Sequence, residues 1–337
     1  MRYHIMKSQD IRRNLATEEY LMKNFPMDEP LFLFYIQKPC VIIGRNQNVY
    51  EEINLNYLRK EKVTLTRRIS GGGAVYDDLG NLSFSFVTTK NSAKFGEYKT
   101  LTFPILQALK RMGAINAKAG GRNDLYINGM KFSGNAMYTR KQRLYSHGTL
   151  MYDVDLSVLD KILTVSKEKI VSKATKSLRK SVTNIKPFLK PSFQFDKTEE
   201  FRDALLREIY QVDSLTKIED KRVYLTSKEE ECIDQLVNKR YGNNEWIYGE
   251  TPQFSMSRRL RLPRVGIVDI RLLTEKGTIT TIRFFGDYFG QKDIKEFEQI
   301  LVNQKFIYDE IKKVLQEVDV SEYIDHFSNE ELLALLF

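Results

Sequence analysis

Three consecutive glycines preceded by two arginines form the first group of residues whose types are suited to chemistry. The stretch reads Arg67-Arg68-Ile69-Ser70-Gly71-Gly72-Gly73-Ala74-Val75-Tyr76-Asp77-Asp78. Backbone N–H groups of glycine can converge on an anion without side-chain obstruction, and guanidinium groups bind phosphate or carboxylate. The run lacks the Gly-Lys-Ser/Thr of a P-loop and is not a GxGxxG dinucleotide fingerprint. These residues favour anion binding, and the alternative is a flexible hairpin loop without a ligand.

The second group lies around Asn128-Gly129, a dipeptide typical of a two-residue type I′ hairpin turn. The turn predicts how the two strands pair, and alternation then places the polar members, with Lys131 among them, on one face. The predicted pairs are Ile127 with Met130, Tyr126 with Lys131, Leu125 with Phe132 and Asp124 with Ser133. Small polar residues flank the hairpin on both sides, which is typical of a site where a ligand approaches the backbone closely. Lys131 is therefore a candidate site residue, and the alternative is an ordinary solvent-facing lysine.

The remaining candidates are weaker. His147 lies in a strand-like run and is expected to be a hydrogen-bonded structural histidine rather than a catalytic base. Three widely separated histidines and two cysteines predict neither a metal cluster nor a disulfide framework. Cys40 lies in an apolar strand and is expected in the core. The sequence around Cys232 indicates no function for it.

Composition limits the class of protein. The chain has 337 residues, which predicts about two domains. It contains 20 Phe and 18 Tyr, too many for a disordered chain. No apolar run approaches the ~18 residues that a membrane-spanning helix needs, and the first residues show no signal-peptide pattern. The expectation is a soluble, cytoplasmic protein.

The net charge is +9, and most of the excess lies in one segment. Between Lys161 and Lys190 there are nine Lys or Arg residues and one acid, Glu168. Such asymmetry favours an anionic ligand or an acidic partner, and the alternative is a set of solvated helix faces. Nucleic acid is not expected as a partner, because no zinc-finger or RNP-type motif accompanies the charge.

The pattern of apolar residues and turn signals predicts the elements that must position these residues. Strands are predicted over 2–6, 31–37, 40–43, 63–69, 81–88, 115–119, 124–127, 130–136, 144–154, 264–274 and 278–285, with 31–37 and 40–43 paired across Lys38-Pro39. Helices are predicted over 11–25, 54–60, 100–112, 292–301, 306–317 and 328–337, and the region 156–240 is expected to be mainly helical. A turn-rich stretch after Tyr248 places a boundary between domains 1–247 and 248–337. Runs of strands with helices elsewhere predict an α+β fold.

At these motifs the sequence resembles the lipoate–protein ligase A family. The resemblance is carried by RRISGGGAVYDDLGNLSFSF, GRNDLYINGMKFSGNAMY, SHGTLMYDVD, SLRKSVTNI, WIYGETPQF and FFGDYFG, in this order along the chain. It implies a large mixed-sheet catalytic domain resembling the biotin/lipoate ligase fold, with a small α+β accessory domain. It also implies that lipoate reacts with ATP to give lipoyl-AMP and pyrophosphate, and that the lipoyl group then passes to a lysine of a lipoyl domain.

The resemblance implies roles for individual residues. ATP binding falls on Arg68, Gly73, Ala74, Val75, Tyr76, Asn123, Asp124 and Lys131, and Asp124 is also the candidate ligand for Mg²⁺. Lipoate binding falls on Gly72, Lys131, Ser133, Gly134 and Arg140. Lys131 is the implied catalytic residue, because it contacts both ATP and the lipoyl carboxylate. A loop containing Lys176, Arg179 and Lys180 is expected to close over the adenylate and exclude water.

The sequence departs from the family pattern at one position, and several alternative functions remain open. Family members commonly have His where Asp77 stands, so the role of that histidine cannot be transferred. An ATP-independent octanoyl or lipoyl transferase is the nearest alternative, but it needs a cysteine beside the lysine hairpin, and Gly121-Arg122-Asn123-Asp124 contains none. A non-catalytic paralogue that binds lipoyl domains is another alternative.

Expected acceptors are lipoyl domains of 2-oxoacid dehydrogenase complexes and the glycine-cleavage H protein. The expected state is a monomer, and the choice between lipoate and octanoate is open.

Overall fold

The largest sheet of the molecule contains the strands that position many of the candidate site residues. The computed structural model describes residues 1–26, 28–91, 95–162, 182–248, 256–275 and 277–337. Within these residues the large sheet has the strand order β1-β2-β6-β10-β9-β8-β7, with β1 and β2 parallel and the other neighbours antiparallel. Its strands are β1 (Arg2–Ile5), β2 (Leu31–Tyr35), β6 (Asn81–Thr89), β7 (Lys118–Gly120), β8 (Asp124–Ile127), β9 (Met130–Arg140) and β10 (Arg143–Met151).

A second, smaller sheet lies against the first. It contains β3 (Cys40–Ile43), β4 (Thr64–Arg67) and β5 (Val75–Asp77), with β3 in the middle, parallel to β4 and antiparallel to β5. The predicted pairing of 31–37 with 40–43 is therefore wrong. Both segments are apolar and fully buried, and each already has a strand on either side, so the chain crosses from one sheet to the other at Lys38-Pro39. The strand β5 was not predicted.

Helices cover both sheets. In the described residues they are α1 (Ile11–Asn24), α2 (Val49–Glu52), α3 (Leu55–Lys60), α4 (Tyr98–Arg111), α5 (Leu159–Ile162), α6 (Thr198–Tyr210), α7 (Ser227–Leu236), α8 (Asn244–Tyr248), α9 (Ile294–Leu301), α10 (Tyr308–Val314) and α11 (Asn329–Leu336). Short 3₁₀ turns span Leu156–Val158, Lys186–Phe188, Pro191–Phe193, Leu215–Lys221 and Val320–Glu322, and a π turn spans Val237–Tyr241. The Asp10 carboxylate caps α1 by accepting from the Arg12 N–H, as polar residues do at helix starts.

Two apolar layers hold the large sheet. One face packs against α4 and α6, where Tyr152 stacks on Phe201 with ring centroids 4.2 Å apart. The opposite face packs against α1, and Leu15, Tyr35 and Ile42 belong to this second layer. Because Ile42 lies on the small sheet, the second layer also joins the two sheets and encloses the space between them.

The C-terminal unit has its own sheet and core. The strands β11 (Met256–Leu262), β12 (Gly266–Glu275) and β13 (Thr278–Gly286) form an antiparallel sheet that packs against α9 and the helices that follow. The hairpin β12–β13 confirms the prediction, whereas β11 was missed because its three arginines hide the strand pattern. The molecule is thus α+β with a separate small sheet unit, as predicted. The boundary near Tyr248 stays a prediction, because 249–255 lie outside the described residues.

A buried carboxylate fixes α1 to the segment that follows α7. Glu19 is fully buried and accepts hydrogen bonds from Tyr241 Oη at 2.8 Å and from Arg240 Nη1 at 2.6 Å, and it also pairs with Lys23. Burial alone would raise the pKa of Glu19, but Arg240 and Lys23 hold it below its ordinary value. The ionised form therefore stabilises the fold.

We predict that Glu19→Gln lowers the free energy of unfolding at pH 7 by about 3 kcal/mol, since it removes a fully buried carboxylate from two partly buried cations. The contribution is present above the ordinary glutamate pKa of 4.5 and is lost as the pH falls through the lower folded-state value. Urea denaturation at pH 7 and below pH 4.5 measures the difference. Glu208→Gln, at the exposed ion pair with Arg111, is the control and should cost under about 1 kcal/mol. A Glu19→Gln effect independent of pH contradicts the assignment.

Candidate active site

A cavity of about 130 Å³ lies between the two sheets. Its inner wall is apolar and includes Leu15, Tyr35, Ile42 and Ala136. The structure brings together at this cavity most of the residues that the sequence nominated for the site, although they come from two separate stretches, 68–75 and 123–134. Those that line it are Arg68, Gly72, Gly73, Ala74, Val75, Asn123, Lys131 and Gly134.

Arg68 shapes the glycine run from within. Its guanidinium donates hydrogen bonds to the carbonyl oxygens of Gly71 at 2.7 Å, Gly73 at 2.8 Å and Ile42 at 3.2 Å. The side chain is buried, and burial lowers its pKa to about 10, so it stays cationic at neutral pH. Arg68 therefore both fixes the loop conformation and places a positive charge on the cavity wall.

Arg67 points to the opposite side of β4 and has a different role. Its guanidinium donates to the carbonyl oxygens of Gly44 at 2.9 Å, Gln47 at 2.7 Å and Ile247 at 2.7 Å. Successive residues of a strand face opposite ways, which explains why two adjacent arginines hold two different loops. Arg67 does not line the cavity, so of the pair only Arg68 supplies charge to it.

The three glycines differ in whether a side chain would fit. A Cβ on Gly71 would overlap with the carbonyl oxygen of Tyr288, and a Cβ on Gly72 would lie 2.8 Å from the ring of Phe289. Gly72 also has a positive φ of 94°, which side chains rarely allow. Gly73, by contrast, has nothing within 4 Å of its Cβ position. The first two glycines are thus required by protein packing, and the third leaves open space.

The lysine hairpin contains a β-bulge. Tyr126 pairs with Lys131 as predicted, but the register then shifts and Asp124 pairs with Gly134. The predicted pairs of Leu125 with Phe132 and of Asp124 with Ser133 are therefore wrong. Phe132 is the extra residue of the bulge, and both it and Ser133 are fully buried.

The bulge places a glycine beside the lysine. A Cβ on Gly134 would lie 3.0 Å from Lys131 Nζ, so the lysine side chain occupies the space that a larger residue would need. Lys131 Nζ lies 2.9 Å from Asp124 Oδ1, and Tyr126 Oη donates to Asp124 Oδ2 at 3.1 Å. The ammonium group is thus held at the cavity by a carboxylate that is itself oriented by a hydrogen bond.

Other predicted residues lie elsewhere. Ser133 is fully buried and does not line the cavity, and Arg140 is exposed at the far end of β9. Tyr76 packs on the outer side of the small sheet beside Val41. Lys176, Arg179 and Lys180 lie outside the described residues. The roles given to these residues by resemblance stay predictions.

A buried relay that the sequence did not reveal runs along the cavity wall. His147 lines the cavity, with Nδ1 2.9 Å from Glu18 Oε2 and Nε2 2.7 Å from Ser70 Oγ. Ser70 Oγ also accepts from Arg68 Nε at 3.1 Å, so its single hydrogen is free to point at Nε2. This arrangement favours the tautomer that donates from Nδ1 to Glu18. His147 is hydrogen-bonded as predicted, but it also faces the cavity. The one indication of this buried network in the sequence was a pair of glutamates within the apolar pattern of α1.

Comparison with known proteins shows the family to which the chain belongs. Residues 10–210 match the model of the lipoyl protein ligase A/B catalytic domain, and residues 251–336 match that of the bacterial lipoate protein ligase C-terminus. The chain is 41% identical to the lipoate-protein ligase LplJ of Bacillus subtilis over 97% of both chains. The chain belongs to the lipoate–protein ligase family.

Solved structures of lipoate–protein ligases agree with the fold. Plasmodium falciparum LipL1 in complex with lipoate is 24% identical, covers 98% of this chain and 96% of its own, and superposes with a TM-score of 0.76. A bipartite lipoate protein ligase from Thermoplasma acidophilum, described together with its E2 lipoyl domain, is 30% identical with a TM-score of 0.64 over 76% of this chain and 98% of its own. A lipoate-protein ligase A bound with ATP is 27% identical with a TM-score of 0.60 over 74% of this chain and 98% of its own.

Asp77 contributes a carboxyl group to the cavity of this lipoate–protein ligase family member. It is buried and lines the cavity, and its Oδ2 accepts from Gln37 Nε2 at 2.6 Å and from Ser83 Oγ at 3.3 Å. Its Oδ1 has no hydrogen-bond partner in the described part of the chain. Burial raises the pKa of Asp77 to about 7, despite these two hydrogen bonds. The carboxyl group is therefore close to half protonated at neutral pH.

We predict that Asp77→Asn makes stability less dependent on pH between 5 and 8. The folded-state pKa of about 7 lies above the ordinary 3.8, so the stability that protonated Asp77 contributes is fully present below pH 3.8 and is lost as the pH rises through 7. The loss is at most about 4 kcal/mol, and the neutral amide removes it. Urea denaturation at pH 5.5 and 8 tests this, with exposed Asp153→Asn as the control. Equal pH dependence in Asp77→Asn and in the parent protein contradicts it.

Proposed function

We propose that this protein is an ATP-dependent lipoate–protein ligase that works through lipoyl-AMP. The observation that carries the proposal is Lys131, held by Asp124 at one end of an apolar cavity whose other wall is the glycine run with buried Arg68. Lipoate has an aliphatic chain and a carboxylate, and this cavity offers apolar side chains and a cation. Relatives whose names and solved complexes include lipoate and ATP support the same function.

The first step joins two anions, and positive charge must offset their repulsion. The lipoate carboxylate oxygen attacks the α-phosphorus of ATP, an O–P bond forms, and the bond to pyrophosphate breaks. Lys131 orients the carboxylate, while Arg68 and the open backbone at Gly73 face the nucleotide. In the second step the neutral acceptor lysine attacks the acyl carbon, AMP leaves, and the amine loses a proton to solvent.

The residues fit a magnesium ion. In the described part of the chain no three His, Cys, Asp or Glu side chains form a metal site by themselves. Mg²⁺ commonly takes one or two carboxylates together with substrate phosphates, and Asp124 beside Lys131 supplies such a carboxylate. When bound, the ion would neutralise phosphate charge and orient the leaving pyrophosphate. Asp124 is the residue that would hold it.

The acceptor that we propose is a lipoyl domain of a 2-oxoacid dehydrogenase complex or the glycine-cleavage H protein. The Thermoplasma acidophilum ligase, described with its E2 lipoyl domain, supports this class of partner. The loop with Lys176, Arg179 and Lys180 is proposed to shield the adenylate from water. In the described part of the chain no helix is both long and apolar enough to cross a membrane.

The transferase alternative is less well supported. It requires a cysteine nucleophile beside the lysine, and none of the described residues that line the cavity is a cysteine. Cys40 is fully buried in β3, and burial raises the pKa of its thiol well above the ordinary value. A thiol that is neither accessible nor ionised is a poor nucleophile.

Intact-mass spectrometry of an apo lipoyl domain tests the proposed function. The domain is incubated with this protein, lipoate and Mg²⁺, with and without ATP. We expect the mass of a lipoyl group to be added only when ATP is present. Acyl transfer from an octanoylated carrier without ATP would instead establish the transferase, and binding without any mass gain would favour the non-catalytic paralogue.

We predict that Lys131→Ala reduces pyrophosphate release by at least about a hundredfold, because it removes the cation that holds the lipoate carboxylate. The fold should be retained, since the side chain is partly exposed and does not belong to the apolar face of its hairpin. A coupled pyrophosphate assay measures the rate, and circular dichroism checks the fold. Lys118→Ala, at an exposed lysine on neighbouring β7, is the matched control. Normal pyrophosphate release by Lys131→Ala refutes the role of this lysine.

A further inference from the structure

A group of acceptor oxygens without donors lies in the cavity wall around Asp77. Asp77 Oδ2 accepts from Gln37 Nε2 and Ser83 Oγ, and Asn81 Nδ2 donates to the same serine oxygen at 3.0 Å. All four side chains are buried, and Asp77 and Ser83 line the cavity. In the described part of the chain no donor reaches Asp77 Oδ1, Gln37 Oε1 or Asn81 Oδ1. The described residues therefore supply no hydrogen to the second oxygen of this carboxyl group.

The charges near Asp77 do not offset the cost of burying it. Burial is the largest cause of its pKa of about 7, and the charge of Asp78 acts in the same direction, against the two hydrogen bonds and the cation Arg68. The guanidinium of Arg68 already donates to backbone carbonyl oxygens and to Ser70. The ionised form of Asp77 is therefore poorly stabilised in this wall. Other titratable groups on the elements around the cavity are Glu18 on α1, Tyr35 on β2, Cys40 on β3, Tyr76 on β5, Asp124 on β8, Lys131 on β9, and Tyr145 and His147 on β10.

An aliphatic acid that fills the cavity makes ionised Asp77 less favourable still. Its methylene groups would pack among apolar side chains such as Leu15 and Ile42, exclude water from Asp77 Oδ1 and offer no hydrogen-bond donor. Its carboxylate would add a second negative charge to the same space, beside Lys131. Desolvation and a like charge both favour the protonated form of a carboxyl group. The neutral form is therefore the one compatible with a bound acyl chain.

We propose that Asp77 must be protonated for lipoate to occupy the cavity, so that binding of the acid takes up one proton from solvent. The inference rests on the proposed function, which supplies lipoate as the ligand. The proton stays on Asp77 while the ligand is bound and takes no part in bond formation. Asp77 thus determines specificity, because the wall accepts an uncharged aliphatic chain in only one of its two protonation states.

Linkage between proton and ligand fixes the sign of the pH dependence. The pKa of Asp77 in the free protein is about 7, so below about pH 6 the group is already protonated and the affinity for lipoate does not depend on it. Above pH 7 each ligand must bring in a proton, and the affinity falls by up to about tenfold per pH unit. A role confined to holding β5 against Gln37 would instead change the affinity by the same factor at every pH.

Isothermal titration calorimetry of the full chain with lipoate alone, without ATP, from pH 5.5 to 8.5 measures this dependence. The affinity of the parent protein should weaken by about tenfold or more between pH 6.5 and 8.5. Asp77→Asn and Asp77→Ser lack the titrating group, and their affinity for lipoate should change by less than about threefold over the same range. Circular dichroism checks the fold of both variants, which differ in side-chain size so that a folding defect in one does not decide the result.

The parent protein alone gives a second measurement that needs no variant. Titrations at one pH in two buffers of different ionisation enthalpy give the number of protons taken up with lipoate. We expect more than about half a proton per lipoate at pH 8 and close to none at pH 5.5. The uptake at pH 8 should be absent from Asp77→Asn.

Two control variants separate Asp77 from other charged groups. Asp153→Asn removes an exposed carboxylate and should retain the full pH dependence. His147→Gln removes the imidazole from the cavity wall, and histidine is a residue type that titrates near neutral pH. The loss of affinity above pH 7 should persist in this variant as well.

The outcomes distinguish this inference from the proposed function. Parent affinity that stays constant between pH 6.5 and 8.5, or proton uptake at pH 8 that persists in Asp77→Asn, overturns the inference. A pH dependence that disappears in His147→Gln and remains in Asp77→Asn assigns the proton to His147 and overturns it too. Binding with proton uptake by a protein that releases no pyrophosphate from ATP supports the role of Asp77 and rejects the proposed function. Pyrophosphate release with lipoate and ATP, but without proton uptake on lipoate binding, rejects the role of Asp77 alone.

Discussion

The guanidinium of Arg68 is the group on which the site depends. It is buried among loop carbonyls, and each of its hydrogen bonds fixes a part of the backbone that forms the cavity. The relay from Glu18 through His147 and Ser70 ends on the same side chain, so one buried network joins α1, the large sheet and the glycine run. A charge held by oxygens on several elements makes the loop rigid without any metal or disulfide.

The second constraint is the space that glycines leave. Gly72 and Gly134 lie on opposite sides of the cavity, and each is small because a functional side chain fills the adjoining space. Phe289 uses the space at Gly72, and Lys131 uses the space at Gly134. The glycines therefore determine which side chains reach the cavity, and the charged residues then determine what the cavity can bind.

Much of the site could be predicted from the sequence because its signals are local. The turn at Asn128-Gly129 places Lys131 opposite Tyr126, and the run of glycines after Arg68 marks a loop that lines the cavity. Features that depend on distant partners could not be predicted in this way. The turn alone does not show the bulge after Lys131, and the apolar sequences of β2 and β3 do not show which strands they pair with. Nor does any local pattern show that Phe289 closes a cavity more than two hundred residues away.

The contacts of Arg67 bear on the order in which the chain can fold. This buried arginine, in the first quarter of the sequence, donates to the carbonyl oxygen of Ile247, and the Trp246 indole donates back to the carbonyl of Arg67 at 2.8 Å. Thr66 Oγ1 likewise donates to the carbonyl oxygen of Tyr241. During synthesis these donors of the small sheet therefore lack their native acceptors until this later segment has left the ribosome. The small sheet therefore gains its full set of hydrogen bonds only when the chain has been made as far as Ile247.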